Sequence, residues 1–230
     1  MADEGTFVFD SEKTRARLAA EPHARGEVEF LQSLAREGMI AVEAGGHTGL
    51  TAVAIAKAIG ATGHLYTFEP VPAYYERLQR NLALNSADNV TAINAALAER
   101  SSHVHVYVQG GGSGLVQGET PEDEVDAEAI SLDDFMRREA LPRLDLLHMD
   151  CEASELLVLR GGRETLDRWH PQIFSEIHHG TLARLGQSIA DIAEFLESLG
   201  YRVRPLVIED RDAETTPDKC SHIYAWAEGH

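Results

Sequence analysis

Cysteine is nearly absent from this chain: two residues in 230, Cys151 and Cys220. They form no metal-type Cys pair and imply no disulfide framework. Basic residues are also scarce, with 20 Lys and Arg against 38 Asp and Glu and a formal net charge of −18. Phosphate contact needs a positive footprint, so no nucleic-acid partner is expected. An anionic membrane surface is disfavoured on the same ground. Long apolar runs are missing, which leaves no segment able to span a bilayer. The first ten residues, "MADEGTFVFD", lack a basic segment followed by an apolar one. No signal peptide is therefore expected, and the cytoplasm is the simplest location.

What remains is ample for a core. The composition is 43% hydrophobic, and one α/β domain is the default at this length. The acid excess serves solubility. No internal repeat is present. Strand and helix signals alternate along the chain. "GMIAVEAG" (38–45) reads as a buried strand, and "TGLTAVAIAKAIG" (48–60) as a helix capped by Thr48 and ended by Gly60. "HLYTFEP" is a strand stopped by Pro70, "VPAYYERLQRNLALN" a helix and "NVTAIN" a strand. "RLDLLHMD" (143–150) and "PQIFSEI" (171–177) read as buried strands, with the helix "SELLVLRGG" between them. An amphipathic helix, "SIADIAEFLESLG", precedes two closing strands, "YRVRPLVI" and "SHIYAWA". Such alternation implies βαβ units and a mainly parallel sheet. The expected division is a helical preface or lid over 1–37 and one main domain over 38–230. The Gly- and acid-rich stretch from Gln109 to Ala129 is expected to be a long loop near the site.

Ligands of open α/β sheets bind outside the carboxyl ends of the strands. The residues that fall there are Glu43, Glu69, Asn94, Asp150 and Glu176, with His178 just beyond. One such residue could merely cap a helix; the set points to a site on one rim. The loop "VEAGGHTGL" places glycines at 45, 46 and 49 after a strand and before a helix. It is close to a dinucleotide fingerprint, but Ala44 replaces the first glycine. Glu43 counts against a dinucleotide, because a carboxylate beside the loop would repel a pyrophosphate. S-adenosylmethionine has no phosphate and carries a positive sulfonium and ammonium. Glu43 suits that cationic moiety, directly or through water, while Gly45, Gly46, His47 and Gly49 bring the backbone close to it. Glu69 can accept hydrogen bonds from both ribose hydroxyls, a feature that a dinucleotide would also use.

The segments "VEAGGHTG", "YTFEP", "RLQRNLALN", "INAAL", "ISLDDF", "LDLLHMDCEASELLVLRGGRETL" and "PQIFSEIH" occur in that order. Together they resemble the FkbM family of S-adenosylmethionine-dependent methyltransferases over roughly residues 41–178. The most specific part is Asp150 to Gly162. The resemblance implies a class I methyltransferase fold: a Rossmann-like, mainly parallel seven-stranded sheet with helices on both faces and the last strand antiparallel. It implies O-methylation of a hydroxyl on a sugar or natural product. It puts Glu43, Gly45 and Gly49 on the methionine-side loop, Glu69 on the ribose, Asn94 and Ala95 near the adenine edge, and Asp150 and Glu152 at the reaction centre. Four positions depart from the family pattern. Glu43 replaces an Asp, His47 an Asn, His148 a Lys and Ala153 a Gly.

A sulfonium is an activated methyl donor, so the protein must align donor with acceptor and manage one proton. His178 is the first candidate base, since imidazole titrates near neutrality; Asp150 and Glu152 are its competitors. Glu152 could instead brace a helix start. Asp150, Glu176 and His178 could alternatively hold a divalent metal, which is left open. His103 and His105 alternate on "HVHVYV" and read as a solvated face. Cys151, flanked by acids, reads as a packed thiol, and Trp169 and Trp226 read as partly buried anchors. The expected partner is a small hydroxylated acceptor, with self-association left open. An NAD-dependent oxidoreductase and a noncatalytic module of the same fold are the alternatives.

Overall fold

The computed structural model describes residues 6–109, 112–115, 124–152 and 154–228. Two helices come first, α1 (Glu12–Ala20) and α2 (Pro22–Leu34). Strand β1 (Ile40–Ala44), α3 (Leu50–Ile59), β2 (His64–Phe68), α4 (Pro72–Leu84) and β3 (Val90–Ile93) form the first half of the sheet. Four strands follow, β4 (Ala96–Ala98), β5 (Ser102–Gln109), β6 (Gly112–Leu115) and β7 (Glu124–Ser131), then α5 (Leu132–Arg138). The second half is β8 (Leu146–Met149), α6 (Glu155–Gly161), α7 (Arg163–Trp169), β9 (Gln172–Glu176), α8 (His179–Arg184), α9 (Ile189–Glu197), β10 (Tyr201–Leu206) and β11 (His222–Ala227).

The main sheet has seven strands in the order β3-β2-β1-β8-β9-β11-β10. The pairings from β3 through β9 are parallel, and β11 runs antiparallel to both of its neighbours. Successive residues of the central strands point to opposite faces, and the core divides accordingly. Ala41, Leu146 and Phe174 pack with α2 and α3 through Leu31 and Ile55. Val42, Leu147 and Ile173 pack on the other face with Phe135 of α5, Leu159 of α6 and Ile192 of α9. Apolar residues on both sides of a strand are what a parallel sheet covered by helices demands. Among the described residues no helix is long and apolar enough to cross a membrane.

Two local expectations change. Gly49, not Thr48, caps α3: it adopts φ +91, with no side-chain cap bond. The Thr48 carbonyl instead accepts from Asn81 Nδ2 at 2.7 Å. The Gly- and acid-rich stretch is not one long loop, because its described ends form β6 and β7 of a second sheet, ordered β4-β7-β5-β6. Its centre, 116–123, lies outside the described residues, as does Ala153. His103 and His105 lie exposed on β5, the solvated face read from their alternation. Trp169 and Trp226 are half-buried.

Candidate active site

Beyond β1 the chain turns at Gly45, with φ +96. The Gly45 and Gly46 N–H groups both donate to the Phe68 carbonyl at 2.9 Å. A Cβ on Gly45 would overlap the Asp150 carbonyl oxygen, and one on Gly46 would overlap Thr67 Oγ1. One on Gly49 would sit 2.8 Å from Leu78 Cδ1. The glycines are therefore required first by the loop's own packing. The consequence is positional: the loop after β1 touches the loop after β8, main chain against main chain.

Glu69, one residue past β2, braces this loop from below. Oε2 accepts the His47 N–H at 2.8 Å and Oε1 accepts the Val71 N–H at 2.9 Å. Each oxygen keeps a second lone pair for another donor. Burial, with the nearby Glu43 charge adding to it, outweighs these bonds and pushes the Glu69 carboxyl up to about 7. His47 adopts φ 44, and its ring meets Tyr74 edge-on at 4.4 Å. Asn94 ties off the strand end, its Nδ2 donating to the Glu69 carbonyl at 2.8 Å. Ala95 is buried in the core beside Phe68 and Leu97.

Glu43 does not present its carboxylate at the rim. It is fully buried, accepts from Thr67 Oγ1 at 2.5 Å, and lies 3.1 Å from His148 Nδ1. The reason is register: His148 sits beside Glu43 on the neighbouring strand. Glu27 of α2 reaches the other ring nitrogen at 3.4 Å. Burial alone would lower the His148 pKa, but Glu27 and Glu43 override it and hold it at about 10. His148 thus carries a buried positive charge between two acids.

The rim itself is acidic around one imidazole. His178 Nε2 lies 3.5 Å from Glu152 Oε2, 3.8 Å from Asp150 Oδ1 and 3.9 Å from Glu176 Oε1. Its Nδ1 is 3.8 Å from Glu155 Oε1. Burial works against protonation, but Glu155, Asp150, Glu152 and Glu176 hold the His178 pKa at about 9. Burial and the Glu176 charge push the Asp150 carboxyl well above the usual range. Glu152 adopts φ 52, an unusual backbone for a non-glycine residue and a frequent mark of functional sites. Burial and the charges of Glu155 and Asp150 raise the Cys151 thiol pKa, so it holds little thiolate, as the flanking acids imply.

Of the residues marked at strand ends, Asp150, Glu176 and His178 converge, joined by Glu152 from the family motif, and Glu69, His47 and the glycines form the adjoining loop. Asp150, Glu176 and His178 each offer a donor atom within 4.8 Å of the others. Glu155, wholly buried behind His178, falls within the family motif but is not marked by strand ends. Glu27 and His148 come from helix–sheet packing that no local pattern announces.

The sequence pattern of the Methyltransferase FkbM domain matches residues 43–203. The chain belongs to the FkbM methyltransferase family. It is 30% identical over 217 residues to methyltransferase sdnD of Sordaria araneosa, covering 80% of each chain. A shorter match, 36% over 75 residues, is to the protein-L-isoaspartate O-methyltransferase of Methanothermobacter thermautotrophicus; it covers 31% of this chain and 35% of that one. Among solved structures, the FkbM methyltransferase of Methylobacillus flagellatus superposes with a TM-score of 0.55 at 17% identity, over 86% of this chain and 50% of that one. The Bacillus cereus O-methyltransferase, solved with S-adenosylhomocysteine, gives 0.54 at 14% identity, over 94% and 90%. At these identities the structural likeness speaks for the fold, which is that of the class I methyltransferases.

Proposed function

We propose that this FkbM-family chain is an S-adenosylmethionine-dependent methyltransferase that methylates a hydroxyl of a small molecule such as a sugar or natural product. The observation that carries the reading is the contact between the Gly45 loop and the Asp150 loop. It sets a candidate cofactor loop against the acidic rim of His178. The residues present fit the cofactor: carboxylates at Asp150, Glu152 and Glu176 suit a sulfonium and an ammonium, and Glu69 retains acceptor capacity for a ribose diol. When bound, the cofactor supplies an activated methyl group. Glu69 and the backbone at His47 hold the adenosine side. Gly45, Gly46 and Gly49 keep the loop low against the sheet, and Asn94 with Ala95 closes the adenine edge. Glu43 acts from behind, through the charge it shares with His148. His178 takes the acceptor's proton in its neutral form, which its raised pKa of about 9 makes available towards alkaline pH once its own proton has gone to solvent, and Asp150 and Glu152 orient it.

The test is a labelled-methyl screen against hydroxylated sugars, polyketides and aromatics. The expected result is transfer to oxygen in at least one class, S-adenosylhomocysteine binding and no NAD binding. His178→Ala should lower turnover by about 10²–10⁴-fold with cofactor affinity nearly intact. Unchanged turnover would remove His178 from the chemistry. Cofactor binding without transfer to any acceptor would favour a binding module instead.

A further inference from the structure

We propose that His23, Glu176 and His222 form a site for a divalent cation of the zinc class. It is distinct from the cluster around His178, although Glu176 stands between the two. His23 lies in the first turn of α2, Glu176 ends β9, and His222 opens β11 directly opposite Glu176 in the antiparallel pair. One donor atom from each lies within 4.8 Å of the other two.

The orientation of the rings favours an ion over a simple ion pair. His23 Nδ1 is held by Glu209 Oε1 at 2.8 Å, and His222 Nδ1 by Ser221 Oγ at 3.1 Å. Metal-ligating histidines are fixed in this way, with one ring nitrogen bound to a protein oxygen and the other turned to the metal. Here both Nε2 atoms face inward, and both are buried without a hydrogen-bond partner. His222 is wholly buried, with its ring stacked on Phe174 at 4.8 Å. Buried polar atoms are ordinarily satisfied, so a pair of orphaned imidazole nitrogens beside a carboxylate calls for an occupant. Glu27 Oε1, which also pairs with His148 Nε2 at 3.4 Å, lies 3.9 Å from His222 Nε2 and is placed to fill a fourth position.

Two imidazoles with one or two carboxylates suit a borderline cation better than Mg²⁺ or Ca²⁺, which prefer all-oxygen sets. Bonds of about 2.0–2.1 Å in a tetrahedron separate neighbouring ligand atoms by about 3.4 Å. His23 Nε2 and Glu176 Oε1 are already 3.2 Å apart, so small side-chain shifts would close the site. The competing account is a protonated His23 between Glu176 and Glu209. It explains His23 but leaves His222 Nε2 with only the Glu27 carboxylate, at 3.9 Å and outside hydrogen-bond distance. A bound ion would staple α2 and β11 to β9 and fix Glu176 beside the rim.

The inference does not depend on methyl transfer, and its test reads binding. The full chain, purified without a histidine tag and stripped with a chelator, is titrated with Zn²⁺ by calorimetry, and Co²⁺ absorption reports the coordination geometry. Expected are one tight equivalent, a tetrahedral Co²⁺ spectrum and a raised melting temperature. His23→Asn, at a half-exposed position that should fold, and His222→Asn should each weaken binding at least about tenfold. Asp150→Asn and His178→Asn should leave it intact. The proposal is overturned if the folded wild type binds no equivalent. It is also overturned if binding survives His23→Asn, or if Asp150→Asn or His178→Asn abolishes it.

Discussion

Lowering the pH from 8 to 6 should weaken S-adenosylhomocysteine binding about tenfold, through Glu69. The Glu69 carboxyl is held up at about 7 by burial and the Glu43 charge. A ribose diol that donates both of its hydrogens needs the ionised carboxylate, so proton and ligand compete. At pH 8 about nine in ten chains are ionised there; at pH 6 about one in eleven is. Because apparent affinity scales with the competent fraction, Kd should rise about tenfold across this interval. Its slope should approach one log unit per pH unit below 7, with about half a proton released on binding at pH 7. His47, the nearest imidazole on the loop, is shifted below its ordinary value by burial and contributes little there. Calorimetry in two buffers of different ionisation enthalpy measures both quantities. Glu69→Gln should bind more weakly and lose the pH dependence. Affinity that stays flat from pH 6 to 8, or a slope that persists in Glu69→Gln, would refute the ribose role. The ligand-free protein carries the matching signature. A carboxyl raised above its unfolded value of 4.5 contributes stability below that value and loses it as pH rises towards 7. Saturating ligand should restore what is lost.

Four further substitutions, at three positions, probe the scaffold and the rim. Gly45→Ala puts a side chain into the Asp150 carbonyl from a left-handed backbone, so urea unfolding should show a loss of at least about 2 kcal/mol; a neutral result would mean that the two loops are not in contact. His148→Leu removes the cation between Glu27 and Glu43 and should cost about 3–5 kcal/mol by the same assay. His148→Lys should recover part of that loss, and equal destabilisation by Leu and Lys would argue that packing, not charge, is what matters there. Glu152→Gly relieves the φ of 52, so the melting temperature should hold or rise, by up to about 1 kcal/mol in stability, while turnover falls; unchanged turnover would place Glu152 outside the chemistry.

The alternation of strands and helices and the rim position of the acids were legible because they rest on local pattern. Apolar runs such as "DLLHM" and "PQIFSE" end in acids, and the fold brings those ends together. The direction of Glu43 was not legible. Its carboxylate turns inward because β1 lies beside β8 in a register that sets His148 next to it, a pairing 105 residues apart in sequence. The glycine loop was recognised by composition, yet its glycines answer to Asp150, Thr67 and Leu78, contacts made only after folding. The second sheet escaped because glycines and acids, which normally mark loops, also fill β6 and β7. His23 and His222 lie 199 residues apart in sequence and carry no shared local signal. Only α2 lying across the sheet brings them to Glu176, and the one local hint is a histidine opening an otherwise apolar strand.

β11 lies between β9 and β10 although it is synthesised after both. Until His222–Ala227 has left the ribosome, β9 ends the sheet as an open edge and β10 has no partner. The growing chain therefore exposes two unpaired strands until β11 is made, the kind of surface that recruits strands from other molecules. Shortening the chain from its C-terminal side, or fusing a bulky tag tightly against β11, acts on this closing step. The first symptom to look for is aggregation during expression, ahead of any loss of function in the protein that does fold.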